Sequence, residues 1–146
     1  MKKEVLHISY NLDFLVFGIT TSLKPTRLAW NLNDTGLFDF FMADDLMMYN
    51  SLTNSEVELT KFEFIDEENH LNWILLCIND AKNVFIKTLK PFDYLLLVNG
   101  GTEFLNIVNM QNKIRNISGV YAINSIDNKK IKEQIGWIFE TTKNIN

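Results

Sequence analysis

Cysteine is almost absent. Cys77 stands alone in 146 residues, so no internal disulfide can form. Histidine is nearly as scarce: His7 and His70 are the only two. A zinc centre or a nucleophilic triad needs several ligands or relays brought together, and two distant histidines do not supply them. No metal or other cofactor is expected. The six glycines form neither the long loop ending in Lys-Ser/Thr of a P-loop nor the three spaced glycines of a dinucleotide fingerprint. No uninterrupted apolar run approaches the ~18 residues of a membrane helix. Basic clusters are lacking too. The only dense patch, "DNKKIKEQ", also carries acids, and the net charge is −4 with a pI of about 5.1. Nucleic-acid binding rests on Lys and Arg neutralising phosphates, so that class of partner is disfavoured. At the N-terminus, "MKKEVLHISYNLDFLVFGITT" begins with two lysines, but Glu4, His7, Asn11 and Asp13 interrupt any signal-like apolar core. A cytoplasmic protein, not attached to a membrane, is expected.

What is present is apolar. Hydrophobic residues make up 47% of the chain and charged residues 22%, enough apolar surface to offset chain entropy and rule against disorder. The length favours one domain over residues 1–146, with the ends, about 1–10 and 141–146, expected to be mobile. Leu12 to Thr21 is rich in β-branched and aromatic residues and reads as a strand. Pro25, the Leu28–Leu32 spacing and Gly36 predict a helix from about Pro25 to Asp34. "LFDFFMADDLMMYN" fits either two strands with a bulge or a short helix through "ADDLMMY". Phe62 and Phe64 alternate with Lys61 and Glu63, and "DEEN" separates them from Leu71–Ile78, which predicts a hairpin. "FDYLLLVNGG" suits a strand covered on both faces. Phe104, Ile107, Met110, Ile114 and Ile117 predict a helix over Thr102–Ile117, with Gly119 in a left-handed cap. A short strand at Val120–Ile123 follows. Asp127 then caps a last helix, in which Ile131, Ile135, Ile138 and Phe139 share a face. The order predicts an α+β fold: a mostly antiparallel sheet of five to six strands with two to three helices packed on one face.

Few residues stand out as sites. Gly100, Gly101 and Thr102 lie between a strand and a helix, where free N–H groups favour anions. A tight turn explains the same residues without a ligand. Paired acids such as Asp44-Asp45, or the hairpin-turn run Asp66-Glu67-Glu68, can share a proton or hold a metal, although exposed acids in a turn are ordinary. Cys77 reads as a small buried hydrophobe, and Trp30, Trp73, Trp137, Tyr94 and Tyr121 as core. Asp93 is the most unusual residue. It lies between Phe92 and Tyr94 where the most buried strand begins, and a carboxylate there needs a partner. Arg27 is a candidate for a buried ion pair with it.

The stretch "IKTLKPFDY", Ile86 to Tyr94, resembles the nine-position motif of the IPExxxVDY family of small Bacteroidetes proteins. Ile86 matches its first position and Asp93 and Tyr94 its last two. Phe92 replaces valine, and Lys87 and Thr88 depart from proline and glutamate. "LVFGITTSLKPTRLAWNLN" and "YLLLV" are similar as well. The resemblance implies a cytoplasmic bacterial protein with no established activity or cofactor to carry over. With or without it, the residues favour a non-enzymatic binding or interaction module, with a protein partner or a second copy of itself. The alternative is a small-molecule-sensing domain of ferredoxin-like type, since strand–helix–strand–helix runs from Phe92 to Glu140. An enzyme using Asp44, Asp45 or Asp93 comes third.

Overall fold

The computed structural model describes residues 13–50, 54–79 and 87–141. The chain forms β1 (Leu15–Thr21), α1 (Pro25–Asp34), β2 (Phe41–Met42), β3 (Leu46–Asn50), β4 (Ser55–Leu59), β5 (Lys61–Asp66), β6 (Leu71–Cys77), β7 (Tyr94–Gly100), α2 (Ile107–Arg115), β8 (Val120–Ile126) and α3 (Lys129–Ile135). A six-stranded sheet runs in the order β2-β5-β6-β7-β1-β8, with every neighbouring pair antiparallel. β3 and β4 form a separate two-stranded ladder. The fold is therefore α+β with an antiparallel sheet, as the element order implies. "LFDFFMADDLMMYN" resolves into strands rather than a helix.

Alternation along the strands creates two cores. Phe17, Ile19, Trp73, Leu75, Leu96 and Val98 face the front, where α1 brings Leu28 and Leu32 and α2 brings Met110 and Ile114. Val16, Ile74, Leu76, Leu95 and Leu97 face the back. Two helices thus share one face, as expected. The third does not: Ile131 and Ile135 of α3, with Leu46 and Leu59 of the ladder, close the back face. Periodicity says which helix face is apolar, not which side of a sheet receives it. β7 is buried from Tyr94 through Val98 because both cores press on it.

Four adjacent strands, from β6 to the β8 edge, have a defined logic. β1 and β6 both run antiparallel to β7, so they are parallel to each other. β7 and β8 both run antiparallel to β1. The units β1-α1-β6 and β7-α2-β8 therefore interleave in the order β6-β7-β1-β8, the ferredoxin-like arrangement of split βαβ units. β2 to β5 are inserted between α1 and β6. They extend the sheet by two strands and supply the ladder that covers its back.

Local chemistry sets the element ends. Pro25 starts α1, and Thr35 closes it by donating its hydroxyl to the Leu32 carbonyl at 2.6 Å. The Asn33 amide then brackets Phe40, donating to its carbonyl at 3.0 Å and accepting its N–H at 2.7 Å. This holds residues 37–40 so that Phe38 meets the Trp73 ring edge-on at 4.8 Å. Two predicted ends move. The helix expected over Thr102–Ile117 is a 3-10 turn at Thr102–Phe104 followed by α2, which Asn106 caps. Phe104 therefore leaves the apolar stripe and is 85% exposed. α3 is capped by Asn128 rather than Asp127, and beyond Ile135 the chain tightens into a 3-10 turn, Gly136–Thr141.

One feature of the back core is polar. β5 alternation sends Phe62 forward and both Lys61 and Glu63 backward, where each is almost wholly buried. Lys61 Nζ lies 2.9 Å from Glu63 Oε2 and donates to Thr141 Oγ1 at 2.9 Å. Glu63 Oε2 is at ion-pair distance yet makes no well-directed hydrogen bond. Thr141, expected to be loose, is pinned by this contact. The other residues expected to be mobile, 1–10 and 142–146, lie outside the described residues. Removing one partner strands a buried charge. Lys61→Met should cost about 3–5 kcal/mol in urea denaturation, whereas Lys61→Met with Glu63→Leu should be near neutral or stabilising. Equal losses in the single and double variants would contradict this account.

Candidate functional site

Asp93 and Tyr94 act together on one connection. β1 changes register against β8 between Thr20 and Thr21. Asp93 Oδ2 accepts the Thr21 N–H at 2.9 Å, while the Asp93 backbone donates to Ile19 at 2.8 Å and accepts from Ile78 at 3.0 Å. Tyr94 donates its hydroxyl to the Leu23 carbonyl at 2.7 Å. Thr21 donates its own hydroxyl to the Gly119 carbonyl at 2.6 Å and accepts the Leu23 N–H at 3.0 Å. The irregular exit from β1 is thus held from both sides. Phe92 packs over Gly18, where a Cβ would lie about 2.5 Å from its ring. Arg27, the partner expected for Asp93, is exposed on α1 rather than buried. The Thr21 backbone amide is one partner of Asp93. Ile86 and His7 lie outside the described residues.

The Gly100-Gly101-Thr102 corner opens a single 3-10 turn and is not the N-terminus of an α-helix. α2 begins only at Ile107, and the Asn106 side chain takes the Asn109 N–H at 3.1 Å. The Gly101 N–H is already committed to the His70 carbonyl at 2.9 Å. Gly100 has φ +107°, and a Cβ there would lie 2.1 Å from that same carbonyl. Close approach to the β5–β6 turn therefore explains the glycines. His70 contributes its carbonyl to the corner and itself adopts φ +57°, a conformation in which His is enriched.

The corner separates two clefts. The front one, about 210 Å³, has an apolar floor of Phe38, Leu71, Trp73 and Met110 and a rim that includes Asn69 and Asn106. Phe104 borders it, and Phe104 and Val108 are both largely exposed. Trp73 Nε1 is buried without an acceptor. The back cleft, about 670 Å³, is polar and is lined by Asp13, Asn72, Asn99, Thr102, Glu103 and Lys132, with Phe14 beneath. Asn72 and Asn99 face each other in register across β6 and β7. Asn99 Oδ1 is buried and makes no hydrogen bond. Lys132 Nζ lies 5.7 Å from the centre of the Phe14 ring.

The other candidates do not converge. Asp44 and Asp45 are exposed between β2 and β3. Asp93 leads into β7, three strand positions from β2, roughly 14 Å at ordinary strand spacing. None of the three lines a cleft described here. Asp66 caps the hairpin turn, accepting from the Asn69 backbone and side chain. Cys77 is half-buried opposite Tyr94. Among the described residues no group of three or more His, Cys, Asp or Glu is placed to hold a metal. Trp30 and Tyr121, expected in the core, are exposed, at 62% and 67%. The back-cleft asparagines were not singled out from the sequence, yet they carry a signal: each interrupts an otherwise apolar strand. No family model, curated protein or solved structure matches the chain.

Burial, reinforced by Cys77 and Asp93 nearby, holds the Tyr94 hydroxyl well above its ordinary range. A raised folded-state pKa means the stabilisation is full below the unfolded value of about 10 and is lost as pH rises beyond it. Tyr94→Phe should cost about 1 kcal/mol at neutral pH. It should also make the fall in stability above about pH 10 shallower than in the wild type. Urea midpoints across pH check this, and an unchanged alkaline slope would contradict it.

Proposed function

We propose that this chain is a non-enzymatic binding module whose ligand is a small molecule seated where β7 turns toward α2. The observation that carries the proposal is that a cleft opens on each side of the Gly100–Thr102 turn. The residues there suit binding rather than chemistry. The acids considered for catalysis lie elsewhere, and both clefts are walled by rigid strands and a capped helix. The ferredoxin-like strand order supports the same choice by analogy of fold alone. Exposed Phe104 and Val108 favour a second reading, contact with a protein partner or a second copy through these side chains. Asp93 and Tyr94 belong to the scaffold in either case. Their match to the IPExxxVDY motif is our ground for proposing a bacterial, cytoplasmic protein of that kind.

Amide NMR of the labelled protein against a mixed metabolite library tests the proposal. Bound compounds should move the signals of Gly100, Gly101, Thr102 and Phe104. Compounds that move only residues near Asp44 or Asp93, or a library that moves nothing at the corner, would defeat it.

A further inference from the structure

The back cleft carries a narrower inference, which rests on the small-molecule reading above. We propose that it binds a small zwitterion of the amino-acid class, with one ammonium and one carboxylate. The lining groups divide into two chemical sets. Asp13, Glu103 and Asn99 Oδ1 accept hydrogen bonds, and Lys132, Thr102 and the Asn72 amide donate them. An anion entering the cleft meets two carboxylates. A simple cation meets the Lys132 ammonium. An apolar molecule dehydrates Glu103, Lys132 and Asn99 without matching them. A molecule bearing both charges satisfies both sets.

Asn99 is the most telling residue. Strand alternation puts it on the face of Leu95 and Leu97, where the back core otherwise takes apolar side chains. Its Oδ1 is sealed from water and makes no hydrogen bond, a cost that a structural role does not explain. The side chain itself is only half-buried and lines the cleft, so a small rotation brings that oxygen to a ligand ammonium, which supplies the missing donor. Asn72 stands opposite on β6, so both amides are fixed by the sheet rather than by loops. Lys132 approaches from α3 on the far wall, with Phe14 beneath its charge. The cleft's size, about 670 Å³, falls within the range of ordinary small-molecule sites.

The test titrates the full chain with the common L-amino acids. Each is paired with the amine lacking its carboxylate and the hydroxy acid lacking its ammonium. Calorimetry gives affinity and amide NMR gives location. At least one amino acid should bind and move the Asn99 and Thr102 signals. Its amine and hydroxy-acid partners should bind at least about tenfold more weakly. Asn99→Leu removes the orphaned oxygen without opening a hole, so it should stay folded and also lose about tenfold in affinity. Lys132→Gln should weaken the amino acid while leaving its amine partner unchanged or tighter.

An amine that binds as well as its amino acid overturns the proposal, as does amino-acid binding that survives Asn99→Leu. Failure of every amino acid, while library compounds still move the corner signals, overturns the ligand class and leaves the binding module standing. Failure of both overturns the two together.

Discussion

Burial of β7 on both faces is the constraint from which the rest of the architecture follows. A strand with five consecutive buried residues needs a layer in front and a layer behind. α1 and α2 form the front layer. α3 and the β3–β4 ladder form the back one. The inserted segment is therefore not ornament on a ferredoxin-like unit. It supplies part of the cover over Ile74, Leu76, Leu95 and Leu97, beside α3.

Asp93 and Tyr94 work at the start of that strand. One takes the amide freed by the β1 irregularity, and the other takes the Leu23 carbonyl just beyond it. Side chains at the head of the most buried strand thereby fix the path from β1 into α1. An unpaired backbone group at that depth costs more than a typical hydrogen bond returns, so satisfying both counts for more than either bond alone. The back core makes the opposite trade. Lys61, Glu63 and Asn99 are polar groups placed where apolar ones would pack, and Glu63 and Asn99 each keep an oxygen without a well-directed hydrogen bond. Lys61, paired with Glu63, ties the C-terminal turn to β5, whereas the Asn99 side chain lines a cleft.

Much of this fold was legible because strands and helices write their period into apolar spacing. β1, the β5–β6 hairpin, β7 and α1 are each visible in that way. The misplacements have physical causes. Phe104 continues the helical stripe of Ile107 and Met110 in sequence, but the 3-10 turn rotates it out to solvent. Trp30 and Tyr121 are large and apolar, yet size does not reveal which face of an element points inward. The acids that drew attention, Asp44 and Asp45, are exposed loop residues. The candidate site was less legible. The Gly100–Thr102 corner was marked, as a tight turn or as an anion site at a helix start. Its clefts are built from Asp13, Asn72, Asn99 and Lys132, which only the strand register brings together.

The position of β1 has a consequence for how the chain is made. β1 is the first described strand in sequence, yet its two neighbours in the sheet, β7 and β8, are the last two described strands. No partner for its edges exists until most of the chain has left the ribosome. Phe17 and Ile19 must wait exposed while the inserted hairpins form ahead of them. Closure of the sheet then joins β1 to strands more than 70 residues later, the kind of long-range step that slows folding and leaves an unfinished chain vulnerable to aggregation. Growth of this molecule is sequential, but β1 gains its sheet neighbours only once β7 and β8 exist.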